Sequence, residues 1–228
     1  MSTTTLLDEE LALLAPSLGP RPWLDALSDD DHDAVLVGSA RSLLLRGLAV
    51  GVDAGLEPRG EVADLLAHLV VPAREVHLHV VLAGSQQPDV TVLRPLASGD
   101  VVAHDVSPDG VHLLSLLTGA QAREQLAAAL DPHGVAGGAG PTGVVAVVRV
   151  RVVDPSVGGR QGAGTPAGAV TDEVSVSSGD VLGRGLVDDR PPGGGGASGP
   201  AVALEPLDAA GLAAWVEELL ATPRAGPG

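Results

Sequence analysis

Seven histidines are the side chains of this 228-residue chain that titrate near neutrality, and four of them fall between residues 77 and 112. His77 and His79 lie two apart, so on a strand they would share a face, as two ligands of a metal must. His104 and His112 fall in the runs that follow. The chain has no Cys, and no acidic residue stands at a spacing that fixes a third ligand. These histidines are therefore expected to be solvated or hydrogen-bonded, and no metal or cofactor is assigned.

Other constellations reduce in the same way. The glycine runs at 137–143 and 158–164 would need to follow a strand and open a helix to cradle a phosphate. The first follows a helix and precedes a strand; the second leads toward Pro166 and another strand. With no Lys in the chain, a phosphate-loop lysine is impossible. The acidic run at 29–33 with His32 suits the first turn of a helix, where carboxylates meet the positive end of the dipole. Ser175, Ser177 and Ser178 lack the glycine-flanked elbow of a nucleophilic serine. Asp172 and Glu173 are adjacent and would point to opposite faces of a strand, which suits paired carboxylate chemistry poorly. No catalytic residue is assigned, and the protein is expected not to be an enzyme.

Composition sets the frame for whatever positions these groups. Phe, Tyr, Ile, Lys, Asn and Cys are absent and Trp occurs twice, so the core must be Leu, Val and Ala. Five of those six absent types use AT-rich codons, which points to a GC-rich, actinobacterial coding sequence. The net charge of −16, from 13 Arg against 29 acidic residues, repels nucleic-acid phosphates and anionic lipid surfaces. The start, MSTTTLLDEELALL, has no basic region ahead of its apolar residues, and no apolar run approaches the ~20 residues of a membrane span. A cytoplasmic protein is expected, without membrane insertion and without a nucleic-acid partner.

Helical spacing dominates the first third. Thr5 precedes Leu7, Leu11, Leu14 and Leu18, with Asp8 three residues after that expected cap. Ser28 opens a second helix whose apolar face is Leu36, Ala40, Leu43, Leu44 and Leu48, with Gly47 and Gly51 marking its end. A third starts near Pro58, carries Val62, Leu65, Leu66 and Leu69, and stops before Pro72. The period then changes to two. Strands are expected over 75–83, 90–96, 100–106 and 111–117, followed by a helix over 118–130. The order repeats with strands over 144–153, 170–176, 181–187 and 201–207 and a helix over 208–221. Shifted by 90 positions, Leu114 meets Leu204, Leu117 meets Leu207 and Thr118 meets Asp208, and Thr or Asp suits a helix cap. Trp23, between prolines, is expected to pin the first connection, and Trp215 to fill core or interface. The segments 155–169 and 189–200, rich in Gly and Pro, are expected to be mobile insertions.

The fold class expected is α+β: a central, mostly antiparallel sheet built from two pseudo-repeated ββββα units with quasi-twofold symmetry, plus an amino-terminal helical region. It is read as a single domain over 1–228, with a helical region 5–72, a first unit 74–130, a Gly-rich linker 132–143 and a second unit 144–221.

Several stretches resemble a known family. ARSLLLRGLAV, with Arg46, Gly47 and Leu48, the run LEPRGEVADLLAHLVVPAREVHLHVVLAG, with Pro72, Arg74 and Glu75, and the later VLGRGLV and VALEPLDAAGLAAWVEELL are similar to EspG-family ESX (type VII) secretion-associated proteins. The resemblance covers most of 5–130 and 170–222. It implies a central antiparallel sheet with quasi-twofold halves and flanking helical bundles. It also implies a cytosolic chaperone or adaptor that holds a secreted helical partner of the PE/PPE kind. Family members carry extra helices between the halves, where this chain has only 132–143. The hairpin tip Gln86, Gln87, Pro88 and Asp89 is the expected partner contact, beside its ordinary reading as a solvated turn. The alternative reading is an enzyme or small-molecule-binding α+β domain whose site is assembled from loops.

Overall fold

The computed structural model describes residues 2–18, 21, 23–53, 55–70, 74–82, 89–137, 145–154, 169–178, 181–186 and 203–221. Leu- and Val-rich alternation builds most of the sheet. Strands β4 (Glu75–Leu82), β5 (Asp89–Pro95), β6 (Val101–Val106) and β7 (Val111–Leu117) form one meander, and helix α4 (Gly119–Leu130) follows it. Strands β8 (Val145–Asp154), β9 (Ala169–Ser178), β10 (Val181–Leu186) and β11 (Glu205–Leu207) form a second, followed by α5 (Ala209–Leu220). The two meanders join through their first strands, β4 against β8, antiparallel from Glu75↔Val153 to Leu82↔Ala146. Later strands step outward on each side, so the sheet runs β7-β6-β5-β4-β8-β9-β10-β11. The α+β class and the antiparallel sheet expected from the sequence are present. Strand β11 is shorter than expected: three residues, 205–207.

Both meander helices start as their sequences dictate. The Thr118 hydroxyl accepts from the Gln121 amide at 3.3 Å, while the Gln121 side chain accepts from the Thr118 amide at 3.0 Å. This reciprocal pair satisfies two donors that a helix start leaves orphaned. The Asp208 carboxylate accepts from the Gly211 amide at 2.8 Å. Helices α4 and α5 lie on one face, where Leu126, Leu130, Trp215, Val216 and Leu219 meet Val76, Leu78, Val148 and Val150. Trp215 is buried in this layer, and the Arg184 guanidinium stacks 4.7 Å from its ring centre.

The amino-terminal region carries the three expected helices, with strands added that the helical reading lacked. Residues Ser2–Leu7 form a ninth strand, β1, paired antiparallel with β7 from Ser2↔Leu116 to Leu7↔Val111. Helix α1 then covers only Asp8–Leu14. Thr5 is therefore not a cap; its carbonyl accepts from the Arg46 guanidinium at 2.6 Å. The run of three β-branched threonines fits a pleated edge, and β7 supplies the backbone partners that no local pattern reveals. A second omission is the hairpin of β2 (Ala49–Val52) and β3 (Gly55–Pro58), so Gly51 and Pro58 lie in strands. Between them, α2 spans Asp29–Leu45 and α3 spans Gly60–Val70.

Helix α2 ends in a six-to-one bond from the Leu48 amide to the Leu43 carbonyl at 3.0 Å, with Gly47 at φ +68. That left-handed residue is what glycine permits at a helix end. Helix α3 buries the four residues expected of it, Val62, Leu65, Leu66 and Leu69. With Leu6, Leu11, Leu43, Val102 and Leu114 they form a second core on the other face, over the β1-β7-β6 side. The expected apolar face of α2 is only partly right, because Leu43 is buried and Leu44 is exposed. Ser28 stands at the start of α2, but its hydroxyl donates to Asp31 at 2.6 Å and caps no amide.

Two glycine substitutions test this packing with opposite signs. Helix propensity favours Ala over Gly by about 1 kcal/mol. At Gly38 in α2 a Cβ would meet nothing within 4 Å, so Gly38→Ala should raise the urea midpoint. At Gly119 it would lie 2.7 Å from the backbone oxygen of Gly99. Gly119→Ala should therefore lower stability by about 1–3 kcal/mol despite the propensity gain. A stabilised Gly119→Ala would show that the 96–100 loop yields freely.

Candidate functional site

The sequence's reactive side chains separate into a buried network and an open row. Both lie on the sheet face opposite α4 and α5, because register and alternation place His112, His104, Val92, His77, His79, Arg149, Arg151 and Asp172 there.

The buried network links the amino-terminal segment to the sheet. Asp8 begins α1 with no exposed surface; its Oδ2 accepts from the Trp23 and Leu24 amides at 2.6 and 2.8 Å. Its Oδ1 meets His112 Nε2 at 2.5 Å, and His112 Nδ1 meets His104 Nε2 at 2.7 Å. Burial, and then the neighbouring His112, push the His104 imidazole down to about 3. Burial also lowers His112, against the opposing pull of Asp8. Both rings are thus neutral at pH 7, and one proton is shared along each hydrogen bond. His104 is flanked in register by Val92 and Leu114, with Arg94, Glu75 and His77 near enough to act on it electrostatically. The work of the relay is to hold β1 and α1 on the sheet. Trp23 does pin the first connection, through its backbone amide, while its ring stays partly exposed.

Beside this network, Glu10 is buried and accepts from the Arg46 guanidinium at 2.7 Å and from the Ser42 hydroxyl at 2.8 Å. Arg94 binds Glu75 and donates to the Leu69 carbonyl at the end of α3, where a cation suits the helix dipole. His77 Nε2 meets Glu75 at 2.6 Å. Burial works against the Glu75 charge, yet these two partners hold its carboxyl below the ordinary range.

Further along the face the row opens. Arg149 and Arg151 side chains are half exposed, and each stands 3.5 Å from the Asp172 carboxylate. Burial, then the positive charges of His77, Arg149 and Arg151, lower the His79 imidazole. Asp172 and Glu173 do point to opposite faces; Glu173 is bound instead by Arg184 at 2.8 Å. The Ser175 hydroxyl donates to the Leu130 carbonyl at 2.8 Å and is buried, which makes it a tie to the end of α4. Among the described residues no three His, Asp or Glu side chains are grouped to hold a metal ion.

A cavity of about 260 Å³ lies between the 95–101 loop, Gly119 and Arg123 of α4, and Glu217 and Leu220 of α5. Arg123 and Glu217, which both line it, pair at 2.5 Å. The expected contact residues Gln86, Gln87 and Pro88 lie outside the described residues; of Asp89 only the backbone is described, opposite Val80. The insertions at 155–168 and 189–200 lie outside them too. The linker is described through Gly137, and it is more than a spacer. Asp131 accepts from the Val135 and Ala136 amides, both at 2.8 Å, and Val135 is buried in the core.

Part of the relay is legible in the sequence. His104 and His112 sit two positions out of direct register across the turn at 107–110, hence as diagonal neighbours. Asp8, more than a hundred residues from His112, carries no such signal. No described helix is long and apolar enough to cross a membrane. The chain matches no known family model and no curated protein.

Proposed function

We propose that this protein is a non-enzymatic adaptor or chaperone that holds an apolar helical segment of a second protein. This is the role implied by its resemblance to EspG-family secretion-associated proteins, with a PE/PPE-like or related small helical protein as the partner. The observation that carries the reading is the surface of α2. Over its described side chains this 17-residue helix buries only Ser39 and Leu43, while Val37, Leu44 and Leu45 are 56, 46 and 89% exposed. Val37 and Leu44 are seven apart and so lie on one side. A partner helix laid along them would cover a stripe that a helix of an isolated domain normally turns inward. Residues 86–89 are a second contact in this reading, and cytoplasmic residence belongs to it.

Co-expression with candidate small helical proteins of the PE/PPE kind, followed by size-exclusion chromatography, tests the proposal. Covering apolar side chains stabilises by about 1.5–3 kcal/mol each. Leu44→Glu with Leu45→Glu should therefore abolish co-elution while leaving the melting temperature unchanged. Co-elution that survives the double substitution removes α2 from the interface. If no partner co-elutes and the purified protein turns over a metabolite, the adaptor reading is wrong.

A further inference from the structure

The geometry points to an oxyanion-binding site on the open sheet face, formed by Arg149 and Arg151 of β8 beside His79 and His77 of β4, for a small phosphate- or carboxylate-bearing ligand. It does not rest on the partner-binding reading, and it uses none of the surface of α2.

Three observations support it. The first is placement. His77 stands opposite Arg151 and His79 opposite Arg149 in the two strands that join the meanders. Alternation puts all four on the face away from α4 and α5, with the two arginines about 6.6 Å apart along the strand. The core under α1, α2 and α3 draws its sheet residues from β1, β6 and β7 and includes none from β4 or β8. Both arginine side chains are 50% exposed.

The second is charge. A chain with a net charge of −16 and 13 Arg as its only basic residues besides His here places two guanidiniums around one carboxylate. Among the described ion pairs, Asp172 is the one acid shared by two arginines. Arg46, Arg94, Arg123 and Arg184 each have a carboxylate within 3.1 Å. The arginine pair therefore keeps one positive charge over, against the sign of the whole molecule. Glu75 does not cancel it, since that carboxylate is already bound by Arg94 and His77.

The third is the quality of the Asp172 contacts. At 3.5 Å they are longer than the roughly 2.7–2.9 Å of a charge-assisted hydrogen bond. The Asp172 side chain is 8% exposed, and its Oδ1 is buried without any hydrogen bond. Asp172 holds the two guanidiniums side by side without occupying their donors, so the planar forks remain available to an oxyanion. Burial first, and then the positive surroundings, lower His79; an anion would relieve the second.

Titration of the intact chain with sodium phosphate at pH 6.5, followed by NMR and matched in ionic strength with sodium chloride, tests this. A parallel titration with citrate distinguishes a phosphate from a carboxylate ligand. Saturable shifts at 149, 151 and His79 are expected with at least one of the two anions, together with a rise in the His79 imidazole pKa at saturation. Arg149→Gln and Arg151→Gln, at half-exposed positions, should each weaken binding about tenfold or more. Arg41→Gln on α2 should leave it unchanged. Asp172→Asn should tighten binding by removing the competing charge. Shifts that chloride reproduces, that fail to saturate, or that persist in both arginine variants would overturn the site.

Discussion

Replacing Asp8 by alanine is expected to lower the free energy of unfolding by about 3–5 kcal/mol, because three hydrogen-bond donors lose their acceptor at about 1–3 kcal/mol each. The carboxylate has no exposed surface and serves three donors: the Trp23 amide, the Leu24 amide and His112. Alanine would strand the Leu24 amide and the imidazole in the interior at the full desolvation penalty, and the part-buried Trp23 amide at less. For a chain of this size one kcal/mol moves the melting temperature by about 2–4 °C, so a fall on the order of 10 °C should appear in thermal unfolding. Hydrogen exchange should show where the loss falls. The amides of β1 and α1 should lose protection first, since Asp8 ties that segment to the sheet through His112 and to the 23–24 turn. Gly110 makes the same point from the other side, because a Cβ there would lie 2.9 Å from the Asp8 carboxyl carbon and 2.7 Å from the Trp23 Cβ. A loss below about 1 kcal/mol for Asp8→Ala would mean that water replaces the carboxylate.

Acid should destabilise the protein through His104. In the unfolded chain this imidazole titrates near the ordinary value of about 6.5; in the folded protein burial and the adjacent His112 hold it at about 3. Above pH 6.5 it is neutral in both states and favours neither. As pH falls through the window from about 6.5 to about 3, the unfolded state binds a proton that the folded state refuses, so stability drops. Over the full window that is several kcal/mol, by order of magnitude, at 1.36 kcal/mol per pH unit. Between pH 6.5 and 5.5, above the carboxylate range, about 1 kcal/mol of it should be visible in urea unfolding. His104→Gln keeps a neutral polar group and should flatten that limb, even if it costs stability at pH 8. An unchanged slope in the variant would assign the acid sensitivity elsewhere. His112 shifts in the same direction, but its bond to Asp8 opposes the shift, so His104 is the cleaner probe.

Local chemistry determined the elements whose partners are near in sequence. The period-two runs of β4 to β7 have short turns between them, so pattern and connection length both select a meander. Thr118 with Gln121, and Asp208 with the Gly211 amide, cap α4 and α5 within three residues, so these helix starts were legible. Alternation likewise separated Asp172 from Glu173, and put His77 and His79 on one face. Tertiary structure decided the rest, because those contacts join residues far apart in the chain. β1 is a strand because β7 offers an unpaired edge, although the leucines after Thr5 keep helical spacing. The pairing of β4 with β8 brings His77 and His79 beside Arg149 and Arg151, about 70 positions later, and no local pattern fixes that register. Asp8 reads as an ordinary acid in a first helical turn, and only the closure of β1 on the sheet buries it against His112. A sequence states what each segment can form alone; which charges meet depends on which edges and faces remain open when the segments pack.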